Sequence, residues 1–331
     1  MVKFSVVMIA RRMNDYILEA MPYFSEQTFK DFEIILVLEE NTSKKFPKTR
    51  IIVTGKASPA EARNIGVRNA KGEIIAFIDD DAYPETNWLE IAAKDLKDEN
   101  LVAVGGPRLV PKNATFFQRV SNKVYELSSG KTGIRYSGSG KRKEIDDWPT
   151  CNFFARKADF LKVGGFDSQY WGGEDTQVCY SLLKTGKKMI YNPQLIIYHH
   201  PRKTLKQHLK QTFFWGMWRG FFMRIFKQSR QLTFFIPPIF ILGVLLGGIL
   251  SLFSSIISLI YFSVLAIYLI YILFIGLRTM NFVLFIPVMI VTILTHFSYG
   301  IGFWKGILSK NEPIKRTLNP SEGLKILKSN S

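Results

Sequence analysis

The sequence predicts an α/β domain with a mainly parallel sheet flanked by helices, then a basic amphipathic helix and about three membrane-spanning helices. Two observations predict it. Up to about Tyr198, strand-sized apolar clusters alternate with helix-sized ones, a pattern that favours parallel strands joined by crossover helices. Beyond that point, Leu232 to Ile275 and Phe282 to Trp304 contain no charged residue, and a helical crossing needs roughly 20 apolar residues.

Taken in order, Phe4 to Ala10, Glu33 to Leu38, Arg50 to Val53, Glu73 to Ile78 and Val102 to Gly105 read as strands, with helices at Asn14 to Phe24 and Pro59 to Asn69. In such a fold ligands bind at the carboxyl ends of the strands. From Ser128 to Ile145 the composition turns to Gly, Ser, Lys and Arg, as expected of either a lid or a plain surface excursion before Trp148. The spacing of Cys151 and Cys179 is not that of a metal site, and both read as packing residues of a reducing compartment.

The charged residues locate the membrane. The formal net charge is +17, and Arg202 to Arg230 holds eight Lys or Arg and no acid, interleaved with Phe213, Phe214, Trp215, Trp218, Phe221 and Phe222. That pattern suits an amphipathic helix on anionic lipid rather than a nucleic-acid partner. The expected parts are a domain over 1–201, an interfacial helix over 202–230, spans near 232–253, 256–276 and 282–304 within a region 231–305, and a basic tail over 306–331. Phe4 to Ala10 lacks the layout of a signal peptide, which favours a cytoplasmic domain on a multi-pass cell-membrane protein. Arg278, between the second and third spans, agrees with that orientation, whereas Lys305, Lys310, Lys315, Arg316, Lys325 and Lys328 in the tail run against the positive-inside tendency.

Three features carry chemistry. Asp79, Asp80 and Asp81 follow an apolar strand, and adjacent carboxylates repel unless a cation neutralises them, so the turn suits Mg²⁺ or Mn²⁺ holding a diphosphate. Arg63, on the helix leading into that strand, offers a forked cation for phosphate or a base edge, or else a salt bridge. Glu174 and Asp175 open a helix that stops at Gly186, where acids also complement the helix dipole.

The stretches "SVVMIA", "EIILVLEENTS", "EARNIGVRNAKGEIIAFIDDDAYP", "CNFFARKADFLKVGGFD" and "GGEDTQVCYSLLKTGKKMIYNPQLIIYHH", in this order, resemble the family 2 glycosyltransferases of GT-A fold over roughly the first two hundred residues. The resemblance implies donor binding by Ala10, Glu39, Arg63, Asp79 and Asp80, metal binding by Asp79, Asp81 and a histidine, His199 or His200, and a catalytic base at Asp175 beside Glu174. Glu39 stands where the family has an aspartate. The Gln-x-x-Arg-Trp element of processive synthases is missing, since Gln211 to Trp215 lacks the arginine. Trp148, Asn152, Trp215 and Arg219 are the expected acceptor-side or interfacial residues.

The activity so implied is non-processive, metal-dependent (Mn²⁺ or Mg²⁺), inverting transfer from a UDP- or GDP-sugar to a lipid-linked acceptor at the bilayer. A hydroxyl acceptor needs a base such as Asp175, whereas a polyprenyl phosphate is already anionic and does not. Polyprenyl phosphate glycosyl transfer is therefore the rival activity, and an inactive nucleotide-sugar sensor or scaffold is the rival of another class. A transporter is disfavoured because the apolar runs contain no acid and His296 is their one ionisable residue of the usual functional kinds.

Overall fold

The structure, a computed structural model, describes residues 3–170 and 172–309. Eleven strands and eleven α-helices follow in the order β1 (Phe4–Ala10), α1 (Asp15–Ser25), β2 (Phe32–Leu38), β3 (Thr49–Val53), α2 (Pro59–Asn69), β4 (Ile74–Asp79), β5 (Ala82–Pro84) and α3 (Trp88–Asp95). Next come β6 (Leu101–Gly105), β7 (Arg108–Leu109), α4 (Phe116–Ser128), α5 (Ile134–Ser137), β8 (Lys143–Glu144), β9 (Asn152–Arg156) and α6 (Lys157–Lys162). The described residues end with α7 (Glu174–Leu183), β10 (Lys188–Tyr191), β11 (Ile197–His199), α8 (Leu205–Ile225), α9 (Ile236–Leu250), α10 (Ser255–Leu277) and α11 (Phe282–Leu308).

The described chain divides into two compact units, residues 3–111 with 137–200 and residues 112–136 with 201–309. In the first, eight strands pair in the order β3-β2-β1-β4-β9-β6-β10-β8, and β5-β11-β7 form a small second sheet. The neighbours β3, β2, β1 and β4 run parallel, whereas β9 and β8 are antiparallel to the strands they pair with. Both faces are covered, which is why these strands read as unbroken apolar runs: Val6, Met8, Leu36 and Ile78 join one core while Val7, Ile35 and Phe77 are buried on the other face. The Ser128 to Ile145 stretch contains α5 and β8, which pairs with β10 at the sheet edge, and Tyr191 donates a hydrogen bond to the Ser139 carbonyl at 3.0 Å.

The second unit corrects two expectations. Residues 112–136 do not belong with the domain expected over 1–201, because Val120 and Val124 of the amphipathic α4 pack with Ile275, Leu284, Val288 and Val291 of α10 and α11. The expected interfacial helix over 202–230 is shorter, Leu205–Ile225, and its aromatic half is covered by protein. Met217, Trp218, Phe221, Phe222 and Met223 are all buried. Glycines make the close approach possible: a Cβ at Gly216 or Gly220 would clash with the carbonyls of Tyr299 and Phe303, and one at Gly302 or Gly306 with those of Phe213 and Met217.

His208 ties α4, α8 and α11 together. Its Nδ1 shares a 2.8 Å hydrogen bond with Ser121 Oγ and its Nε2 one of 2.8 Å with Thr295 Oγ1, while Tyr125 stacks on the ring at 4.8 Å. Burial pushes this imidazole down to about 4, so it is neutral at ordinary pH.

Among the described residues, three helices are long and apolar enough to cross a membrane, Leu232–Leu250, Ser255–Leu277 and Phe282–Leu308. Ser254 caps α10 where the first apolar run folds back, and Asn281 caps α11. The expected basic tail lies outside the described residues apart from its first four, 306–309.

Candidate active site

Strand order sets one edge of the site. Along the carboxyl edge β2, β1 and β4 are neighbours, with Ala10 opposite Leu38 and Ile9 opposite Asp79, and the Glu39 amide donates to the Ala10 carbonyl at 3.3 Å. Ala10, Glu39 and Asp79 therefore line one edge. Glu39 makes an outer ion pair with Arg11 at 3.6 Å.

The acidic turn links β4 to β5, and β5 pairs antiparallel with β11 so that His199 stands opposite Ala82. That register carries a residue more than a hundred positions away onto the turn: His199 Nε2 lies 3.1 Å from Asp81 and 3.8 Å from Asp79. Among the described residues, Asp79, Asp81 and His199 are a set whose ligand atoms all lie within 4.8 Å of one another. Two carboxylates and an imidazole are donors that fit a divalent cation. His200 is turned elsewhere, its Nε2 2.8 Å from Glu19 and its ring 4.6 Å from that of Tyr16. Of the two histidines, His199 is the one brought to the acids.

Asp80 leaves this set. Asn14, the N-cap of α1, accepts from the Ile17 amide through Oδ1 and donates to Asp80 through Nδ2 at 2.6 Å. Burial and the neighbouring charges of Asp81 and Asp79 push the Asp80 carboxyl up to about 6. The hydrogen bond from Asn14 to Asp80 has no sequence signal.

Asp175 sits one residue into α7, whose N-cap Gly173 adopts φ +77°, a left-handed conformation that suits glycine. Asp175 Oδ1 accepts from the Thr176 amide at 2.9 Å, and Thr176 Oγ1 donates to Asp147 at 3.0 Å. Burial, then the like charges of Glu174 and Asp147, push the Asp175 carboxyl up to about 7 against the pull of Arg63. A group so poised can take a proton near neutral pH. Sequence reasoning missed Asp147.

Arg63 is buried, and its guanidinium donates to Glu174 at 2.8 Å and to Asp79 at 3.2 Å. Burial works against its charge, yet Glu174, Asp79 and Asp175 outweigh that and hold it above its ordinary range. Of the two roles open to Arg63, the structure shows the salt bridge. Glu174 is taken up in the same pair.

Trp148 and Asn152 are corrected. Trp148 is buried against Tyr191 at 5.0 Å and donates to the Gly106 carbonyl at 3.0 Å. Asn152 accepts from Trp88 Nε1 at 2.9 Å and donates to the carbonyls of Pro107 and Leu195 at 2.8 and 2.7 Å. With no exposed surface, Asn152 braces three segments of the core and has no face to offer an acceptor. Trp215 and Arg219 belong to the second unit, Trp215 packing on Tyr125 at 5.2 Å and Arg219 lying over the Phe234 ring at 4.2 Å.

Residues 5–160 match the family model Glycosyl transferase family 2. The chain carries a family 2 glycosyltransferase domain. It is similar, at 30% identity over 162 residues, to the Pre-mycofactocin glycosyltransferase of Mycobacterium tuberculosis (strain CDC 1551 / Oshkosh), a match covering 48% of this chain and 33% of that protein. The match thus spans about a third of that relative's length. A longer match, 25% identical over 307 residues and covering 90% of this chain and 89% of the relative, is to a Methanococcus voltae protein. It is named dolichyl N-acetyl-alpha-D-glucosaminyl phosphate 3-beta-D-2,3-diacetamido-2,3-dideoxy-beta-D-glucuronosyltransferase. The glucosyl-dolichyl phosphate glucuronosyltransferase of Haloferax volcanii is 24% identical over 249 residues, covering 67% of this chain and 77% of that protein. Arg63, Asp79 to Asp81 and Trp148 lie within the matched range, and Glu174, Asp175 and His199 lie beyond it.

Proposed function

We propose that the chain is a membrane-anchored, non-processive glycosyltransferase moving a sugar from a nucleotide-sugar donor to a hydroxyl of a lipid-linked saccharide, with inversion. The observation that carries this reading is the pairing of a metal-type cluster, Asp79, Asp81 and His199, with a separate carboxylate, Asp175, poised at about 7. The two relatives matched over most of their lengths are named for transfer onto a dolichyl-phosphate-linked sugar, which favours a hydroxyl acceptor over a bare lipid phosphate.

Ala10, Glu39 and Asp79 present the donor edge, and Asp175 removes the proton from the attacking hydroxyl. Asp79, Asp81 and His199 would hold Mn²⁺ or Mg²⁺, which supplies charge neutralisation to a departing diphosphate. Of the two, Mn²⁺ better suits a set that mixes carboxylates with imidazole. The catalytic domain faces the cytosol, consistent with the basic residues around Arg202 to Lys210 and with Arg278.

The acceptor test uses detergent-purified protein with polyprenyl phosphate and with polyprenyl-phosphate-linked sugar as acceptors, wild type against Asp175→Asn. The expected result is transfer to the linked sugar alone, lost in the variant. Transfer to bare polyprenyl phosphate that survives Asp175→Asn would replace the proposal with the lipid-phosphate reading.

A further inference from the structure

We infer that Arg63 and Asn64 are a positioning clamp that fastens the base-bearing start of α7, and the loop before it, to the metal-binding turn, and that Arg63 does not bind the nucleotide. This deepens the proposed function and rests on it for the role of Asp175. The two residues are adjacent on α2, and each reaches a segment about a hundred positions further on. Arg63 Nη1 donates to Glu174 at 2.8 Å while Nη2 donates to Asp79 at 3.2 Å, so one planar group spans from the metal cluster to the residue beside the base.

Asn64 grips the start of the loop that leads into α7. Its Nδ2 donates to the Phe166 carbonyl at 2.7 Å and its Oδ1 accepts from the Phe166 amide at 3.0 Å. The loop in turn is shaped to receive it. Gly165 adopts φ +72°, and a Cβ there would lie 2.6 Å from Asn64 Oδ1, so the grip needs glycine on two counts. The Phe166 ring packs 5.7 Å from the Arg63 guanidinium and 5.2 Å from Phe77 of β4.

The platform is rigid as well. Gly66 lets α2 sit so close to β1 that an added Cβ would meet Val7 Cγ1 at 2.5 Å. With the Arg63 side chain 11% exposed and both forks engaged by carboxylates, the group is spent on protein partners. An arginine that held phosphate would have to break a buried pair and leave Glu174 uncompensated.

The test uses the full chain in detergent with Mn²⁺, Arg63→Met, Glu174→Gln, the double variant and Asn64→Ala. Binding of UDP and of GDP is read by calorimetry, and kcat with whichever nucleotide sugar the wild type turns over. The clamp predicts that Arg63→Met and Glu174→Gln each lower kcat at least about tenfold, that the nucleoside diphosphate Kd moves less than about threefold, and that the double variant is no worse than Arg63→Met. Asn64→Ala, which removes no charge, should lower kcat with the same unchanged Kd. A tenfold or greater rise in Kd for Arg63→Met, with Glu174→Gln and Asn64→Ala binding normally, overturns the clamp and returns Arg63 to the nucleotide.

Amide exchange separates failure of the clamp from failure of the functional reading. If the wild type turns over no donor, faster exchange over 164–170 and 172–176 in Arg63→Met and Asn64→Ala supports the fastening, and unchanged exchange overturns it.

Discussion

The first unit places its side chains by strand register, and the second places its helices by the absence of side chains. In the first, the pairing of His199 with Ala82 and of Ile9 with Asp79 carries distant residues onto one acidic turn. In the second, Gly216, Gly220, Gly302 and Gly306 let α8 and α11 meet backbone to backbone. Charge divides the same way: across residues 112–136 and 201–309 the one acid is Glu126, and it is paired with Lys123 at 2.9 Å. Chemistry needs clustered carboxylates held against their own repulsion, whereas helices next to lipid need smooth, uncharged contact.

The largest effect should come from the first unit. Asp175→Asn is expected to lower turnover by ~10² to 10⁴ while nucleotide affinity stays within about threefold, because under the proposed function only the proton acceptor is lost. Parallel kinetics and calorimetry check this. The same substitution should raise the melting temperature. A carboxyl pushed up to about 7 favours the fold below its unfolded value and gives that up as pH rises through the folded one, so removing its charge helps most above pH 7.

In the second unit Gly306→Leu should destabilise by about 1 to 3 kcal/mol or more, since the Met217 backbone cannot move aside as a side chain could. Thermal unfolding in detergent reads this, and an unchanged transition would mean that α8 and α11 do not pack this closely. A smaller loss, about 1 to 2 kcal/mol, is expected for His208→Leu, which leaves Ser121 and Thr295 without their imidazole partner.

The smallest effect sharpens the view of the base. Under the proposed function turnover should fall about tenfold per pH unit below about 7, because a base at Asp175 acts in its deprotonated form. Asp147→Asn removes a like charge, and the rising limb should move to lower pH by less than about one unit. A limb that stayed in place would show that Asp147 has no hold on the base.

Much of the first unit was legible because its signals are local. Apolar runs located β1, β2, β3, β4 and β6 to within a residue, and the helix over Pro59–Asn69 is where the pattern put it, whereas β5, β7, β8, β9, β10 and β11 went unread. The acidic turn and the Glu174–Asp175 pair lie at element ends, where sequence shows them. What stayed hidden depends on pairing: that His199 rather than His200 meets the acids follows from β-register, and that Arg63 faces Glu174 follows from how α2 packs. Trp148 and Asn152 misled because an indole and an amide suit an acceptor site and a polar core equally well. The helix over Leu205–Ile225 misled because interleaved Lys, Arg and aromatics look the same whether the aromatics meet lipid or another helix.

The central claim is metal-dependent sugar transfer at Asp79, Asp81 and His199. Turnover of a panel of UDP and GDP sugars by the full chain, with Mn²⁺ or EDTA and with lipid extract as acceptor, tests it most directly when set beside Asp81→Asn. The account predicts turnover of one donor with Mn²⁺, abolished by EDTA and reduced at least about a hundredfold in the variant. Turnover unaffected by EDTA, or donor binding without turnover, would contradict it.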